Sequence, residues 1–157
     1  MAVSISELGQ RFPEELSDRD EGVELFDFVD YAVEREVDRH PELPSRRKKL
    51  IFIQETFGLN SVEIANWLGI TEKESRRYLS RRGIRDNEFE EIKDRFEHVF
   101  TITSMVNRHV EGLNSKRKTL IKPNALLRNL GVKDWIIEGK TRRAVAVAER
   151  TFRHIHE

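Results

Sequence analysis

Apolar residues recur at intervals of three or four along most of this 157-residue chain, which is the period of a helix rather than of a strand. The first apolar stripe lies within residues 22–39, whose opposite face is acidic. The prolines of HPELPS, residues 40–45, cannot continue that helix, and Ser45 is a typical N-cap for a second helix over residues 46–57, which Gly58 ends. The pattern predicts an all-α fold.

The stretch SVEIANWLGITEKESRRYLSRRG predicts two short helices joined by a tight turn. Ser61 is expected to cap the first helix, and Gly69 permits the turn at low steric cost. Thr71 followed by Glu74 forms a capping box, from which the second helix is expected to run to about Arg82.

This stretch resembles the helix-turn-helix of prokaryotic transcription regulators, including the related element at the C-terminal end of sigma factors. The small and apolar residues at the fixed offsets of that motif are Ile64, Ala65, Leu68, Gly69, Ile70 and Tyr78. Ser75 departs from it, because a branched apolar residue usually fills that inward position. The resemblance covers residues 46–84 and implies a sequence-specific double-stranded DNA-binding protein, with residues 71–81 in the major groove.

The resemblance, together with the chemistry of each exposed side chain, implies a set of DNA contacts. The residues expected to read bases are Thr71, Glu72, Lys73, Arg76, Arg77 and Ser80. Those expected to hold phosphates near the motif are Arg46, Arg47, Lys48, Lys49, Arg81 and Arg82. Further phosphate contacts are expected from Lys116, Arg117, Lys118, Lys140, Arg142 and Arg143.

Charge is segregated along the chain, although the formal net charge is zero. Residues 1–45 hold 4 basic and 13 acidic side chains, and residues 46–84 hold 9 and 4. Residues 85–111 hold 4 and 7, and residues 112–157 hold 11 and 4. These blocks correspond to an acidic arm and helix, the helix-turn-helix region, a long helix and a basic helical region. Two basic blocks favour a polyanionic partner, while the acidic arm either masks the reading helix or binds another protein.

The long helix is expected to need a partner. Its apolar stripe extends through most of residues 85–111, although the β-branched run HVFTITSMV favours a strand locally. A homodimer, or a higher homo-oligomer, is expected through this helix, because regulators of this type place two reading helices one DNA turn apart. Packing within the chain is the alternative.

The basic C-terminal region is predicted to contain a helix that starts at Pro123 and Asn124 and ends at Gly131, and another that begins near Asp134. The phrase LLRNLGVKDWIIEGKTRRA faintly echoes the earlier turn, so a second helix-turn-helix is one interpretation. The other is a plain helical unit around Trp135.

Several classes of protein are not favoured. The chain has no cysteine, no apolar run near the ~20 residues that span a bilayer, and no signal-peptide pattern at its start, so a cytoplasmic, nucleoid-associated location is expected, without membrane contact. No spacing of His98 or His109 with carboxylates matches a metal site, and no nucleophile or phosphate loop is recognisable. We therefore expect neither a cofactor nor an enzyme.

Two alternatives to a transcription regulator remain. One is a phage or plasmid DNA-packaging or segregation adaptor, similar to a small terminase subunit, that oligomerises on DNA. The other is a protein-interaction adaptor that acts through the acidic arm.

Overall fold

The computed structural model describes residues 28–153, and this range is helical without a strand. Its α-helices are α1 (Val29–Asp38), α2 (Arg46–Phe57), α3 (Ser61–Leu68), α4 (Glu72–Leu79), α5 (Asp86–His109), α6 (Leu113–Ile121), α7 (Val132–Ile137) and α8 (Thr141–Arg153). A 3-10 turn, Ala125–Leu127, precedes α7. The all-α prediction is confirmed. The predictions for the acidic arm before Phe28 lie outside the described residues.

Helix α5 is the centre of the fold, and α1, α2, α3 and α8 pack around it. Residues 98–106 of α5 are all buried, including the β-branched run. The hydroxyls of Thr101 and Thr103 donate to the carbonyls four residues earlier, which satisfies both groups inside the helix. Burial on all sides overrides the local preference for a strand. The apolar stripe that predicted a partner subunit is thus covered by the chain itself.

One hydrophobic core runs through all the described helices. The rings of Phe57 and Trp67 lie 5.3 Å apart between α2 and α3, and Trp135 and Phe152 extend the core through α7 and α8. Trp135, the predicted centre of the C-terminal helical unit, is fully buried. The charge blocks of the sequence therefore share a single core.

Helix α1 is held to α5 and α8 by buried ion pairs rather than by apolar contacts alone. Glu36 is fully buried and accepts hydrogen bonds from Arg108 (2.8 Å), Arg35 (2.7 Å) and the Ser104 hydroxyl (2.8 Å). Burial by itself raises the pKa of Glu36, but these three donors outweigh it and hold the pKa below its usual range. Arg35 also donates twice to Glu149, at 2.7 and 2.6 Å. The acidic side of this helix therefore includes one carboxylate, Glu36, that is buried in ion pairs.

The first helix boundaries follow from local caps. Helix α2 has the predicted bounds, because Ser45 Oγ accepts from the Lys48 amide (3.1 Å) and Gly58 adopts a left-handed φ of 62°. The cap of α3 is Asn60 rather than Ser61. Asn60 Oδ1 accepts from the Glu63 amide at 2.8 Å.

Helix α4 is shorter than predicted. It ends at Leu79 instead of Arg82, because Ser80 is extended and its hydroxyl donates to the Arg77 carbonyl.

The segment before α7 also differs from its prediction. No α-helix forms between Pro123 and Gly131, since the chain makes one 3-10 turn and then adopts positive φ at Arg128 (55°) and Asn129 (63°). Gly131 has an ordinary φ of −85°, and a Cβ there would lie 2.5 Å from the Leu120 carbonyl oxygen. This glycine therefore permits the close approach of α7 to α6 and does not form a turn between two helices.

Candidate nucleic-acid interface

The candidate reading unit consists of α3, the turn at Gly69 and α4. Asn60 with Glu63 and Thr71 with Glu74 form complete capping boxes, so the start of each helix is fixed by the local sequence. Gly69 has φ 69°, which a residue with a side chain rarely adopts. The resulting geometry is a short helix, a three-residue turn and a second short helix.

The residues that carried the helix-turn-helix resemblance point inward. Ile64, Leu68 and Tyr78 are almost completely buried, Ala65 is 6% exposed and Ile70 is partly buried. Ser75 is also buried on the inner face of α4. Helix α4 consequently packs through one narrow face on α2 and α3.

The opposite face of α4 is exposed and carries most of the predicted base-reading side chains. The exposed candidates are Thr71, Glu72, Lys73, Arg76 and Ser80, followed by Arg81 and Arg82. Arg76 is 65% exposed and lies 3.2 Å from Glu72 one turn earlier. Such an exposed pair contributes little stability and can exchange readily for another anion. The Thr71 hydroxyl is engaged within the protein, because it accepts a hydrogen bond from the Glu74 amide as the N-cap of α4.

Arg77 lies in a different environment from the other predicted base-reading residues. Its guanidinium forms an ion pair with Glu88 at the start of α5 and lies 5.4 Å from the centre of the Tyr78 ring. The Tyr78 hydroxyl lies 3.2 Å from the same Glu88 carboxylate. Burial, together with Glu74, raises the pKa of Tyr78. Arg77 thus joins α4 to α5.

The four cations at the start of α2 are engaged to different degrees. Arg46 forms a 2.7 Å ion pair with Asp86 and lies over the Phe89 ring. Arg47 Nε donates to the Leu79 carbonyl (3.0 Å), where it complements the negative end of the α4 dipole.

The other two cations of this group differ from the arginines. Lys49 lies 5.8 Å from the Phe100 ring. Lys48 is exposed and has no ion pair with a described residue. Of the four, Lys48 is the most available to an external phosphate.

The C-terminal cations differ in their contacts within the protein. Arg117 donates to the carbonyls of Phe57 (2.9 Å) and Gly58 (3.2 Å) and pairs with Glu63 (3.0 Å). It therefore fixes α6 to the junction of α2 and α3.

Arg143 is buried, donates to the Leu126 carbonyl and lies over the Trp135 ring, which removes it from any DNA-facing surface. Arg142 contacts Asp30 at 3.2 Å, and Lys116 donates to Asn107 at 2.9 Å. Lys118 is exposed and Lys140 is partly buried.

Sequence reasoning missed Arg95, which connects the reading unit to the C-terminal helices. Arg95 Nε donates to the Trp67 carbonyl (2.6 Å), and Nη2 donates to Asn66 (2.8 Å) and Ile137 (3.0 Å). One guanidinium thus caps the C-terminal ends of both α3 and α7. Burial lowers the pKa of Arg95. No sequence signal marks it, because its three acceptors are backbone carbonyls far away along the chain.

The remaining candidate chemistry is structural. His98 is buried, its Nδ1 lies 2.8 Å from the Thr141 hydroxyl, and desolvation lowers its pKa to about 4. The His109 ring stacks on Phe152 at 5.0 Å. Within residues 28–153, no cluster of three or more histidine and carboxylate side chains could hold a metal ion. None of the helices in this range combines the length and apolar character required to span a bilayer.

No protein-family model, curated protein or solved structure matches this chain.

Proposed function

We propose that the protein is a sequence-specific double-stranded DNA-binding protein that regulates transcription and reads the major groove with α4. The supporting observation is the two-sided character of α4. Tyr78 and Ser75 lie in the core, while Lys73 and Arg76 project from the other side of a helix with a fixed start. A helix presented in this way fits the width of the major groove.

Two arginines have separate roles in this proposal. Arg76 is exposed and, among residues 28–153, its ion pair is with Glu72 of its own helix, so it can form bidentate hydrogen bonds to guanine. Arg77 acts as a positioning residue, because its ion pair with Glu88 sets the angle of α4 against α5. Lys73, Arg81 and Arg82 are exposed beside Arg76 and are suited to phosphates.

The primary experiment selects bound sites from random duplex DNA and measures the mass of the protein in solution. A recovered consensus sequence with a homodimer supports a regulator, because two reading helices would meet two half-sites. A large ring without a consensus would support the packaging or segregation role instead. Failure to retain any duplex would reject DNA binding.

The base-reading role is tested with Arg76→Ala and a matched control, Arg150→Ala, which removes an exposed arginine from α8. Arg76→Ala should weaken binding to the selected site by ~1–3 kcal/mol and leave random DNA nearly unaffected, because base contacts carry the sequence information. Arg77→Ala should lower DNA affinity and the melting temperature together. Equal losses on selected and random DNA for Arg76→Ala would contradict the assignment.

Phosphate contact is tested at Lys48, with the exposed Lys93 of α5 as the control position. Lys48→Ala should reduce the slope of log affinity against log salt concentration by about 0.9, because one counterion fewer is released. Lys93→Ala should leave the slope unchanged. An unchanged slope for Lys48→Ala would mean that this lysine makes no phosphate contact.

A further inference from the structure

A cavity of about 260 Å³ lies between α5, α6 and α8, away from the reading face of α4. Its apolar walls are Ile102, Val106, Leu120, Val132, Ala148 and Phe152. These walls are mostly buried, whereas Lys122, Pro123 and Thr151 on the same lining are exposed, so the cavity opens to solvent on that side. An apolar cavity of roughly 150 Å³ is already large enough for benzene.

The polar groups of the cavity are mostly satisfied by the protein. The hydroxyls of Thr119 and Thr151 donate to carbonyls of their own helices, each at 2.9 Å. The side-chain oxygen of Asn124 accepts from the Leu126 amide at 2.9 Å.

Lys122 is the exposed cation on the cavity lining, and none of the described lining residues is acidic. The lining therefore combines an apolar body with one positive charge. A multiply charged phosphate would need more donors than this lining offers.

From this combination we propose that the cavity binds a small monocarboxylic acid with an aromatic or branched apolar body of about ten non-hydrogen atoms. The apolar body would lie between Val106, Leu120 and Phe152. The carboxylate would face the Lys122 ammonium. This inference does not depend on DNA binding.

The test is calorimetric titration of the full chain with 3-phenylpropanoate in the absence of DNA. Its matched probes are 3-phenylpropan-1-ol and 3-phenylpropylamine, which share the apolar body and differ in charge. The acid should bind about fivefold more tightly than the alcohol, the scale of one exposed ion pair. The amine should bind more weakly than the alcohol. Absence of binding by the acid, or equal binding of acid and amine, would overturn the proposal.

Two variants locate the binding. Lys122→Gln should remove the preference for the acid over the alcohol. Lys118→Gln, in the last turn of α6 and outside the cavity lining, should retain it. Ala148→Leu should fill the cavity and abolish binding of both compounds. The helicity of Ala148→Leu is checked by circular dichroism. If this variant is unfolded, the acid preference of Lys122→Gln, compared with that of Lys118→Gln, decides where the acid binds.

Two results would overturn the location. They are an unchanged acid preference in Lys122→Gln and undiminished binding by folded Ala148→Leu.

Discussion

Ser75 and His98 are both buried polar side chains, but they differ in hydrogen bonding. His98 has the Thr141 hydroxyl as a partner, whereas Ser75 Oγ has none among the described residues. A buried hydroxyl without a partner loses its hydration and gains nothing in return. The departure of Ser75 from the helix-turn-helix pattern was visible in the sequence, and its cost follows from burial.

Ser75→Ala should raise the free energy of unfolding by about 1 kcal/mol, because it removes the unsatisfied hydroxyl. The measurement is urea denaturation. Ser115→Ala, at an exposed position in α6, controls for the higher helix propensity of alanine. A loss of stability in Ser75→Ala that is absent in the control would show that the hydroxyl has a partner in solution.

His98 should make the protein less stable in mild acid. Burial lowers its pKa from 6.5 to about 4, so between these values the unfolded chain binds a proton that the folded chain does not. The contribution of His98 to the free energy of unfolding has its full value above pH 6.5. It falls by about 1.4 kcal/mol per pH unit from there towards pH 4.

Denaturation of the wild type and of His98→Gln across this pH range measures the contribution. The free energy of unfolding of the wild type, relative to that of His98→Gln, should decrease as the pH falls from 6.5 towards 4. Asp94, whose charge opposes the shift, is present in both proteins. Parallel stability curves would show that His98 is protonated equally in both states.

At the level of elements, the sequence predicted what depends on neighbours in the chain. Ser45 and Gly58 delimited α2, and the box of Thr71 and Glu74 located the start of α4. Contacts with partners far away along the chain were not predictable. Examples are the hydrogen bond from Arg117 to the Phe57 carbonyl and the ion pair of Arg77 with Glu88. An arginine read from sequence looks the same whether it faces a phosphate or a backbone carbonyl.

Arg95→Ala should lower the free energy of unfolding by about 3 kcal/mol, because three carbonyl groups at two helix ends lose a charged donor. Lys93→Ala, on the exposed face of the same helix, should change it by less than about 0.5 kcal/mol. Thermal and urea denaturation of both variants provide the comparison. Equal effects would mean that the carbonyls are hydrated in the folded protein.

On the scale of the whole molecule, sequence pattern identified the helical class and most helix positions but not the unity of the core. Charge blocks divided the chain into four parts, yet Phe57, Trp67 and Phe96 belong to one cluster that extends from α1 to α8. Apolar periodicity shows which face of a helix is buried and not which helix covers it. For the same reason, the stripe on α5 predicted either a partner subunit or packing within the chain, and α8 and α1 cover it in the structure. The homo-oligomer stays a prediction.

Residues 46–84 alone should therefore not fold, although they contain the whole candidate reading unit. Without α5, α6 and α7, this fragment would expose Phe57, Trp67 and Leu68 to water. Circular dichroism should show little helix and no cooperative melting for the fragment, whereas the full chain should melt cooperatively. A sharp transition in the fragment would show that the reading unit is autonomous.

Gly69 and Gly139 are connected through space by Arg95, although seventy positions separate them in the sequence. A Cβ at Gly69 would lie 2.7 Å from Arg95 Nη1, and one at Gly139 would lie 3.1 Å from the same atom. Both glycines have positive φ, at 69° and 82°. A side chain at Gly69 would displace the guanidinium, and one at Gly139 would crowd it, so either change would weaken the hydrogen bonds that Arg95 makes at the other turn. The three positions should therefore covary, so that evolutionary relatives of this chain retain Gly69, Arg95 and Gly139 together or lose them together.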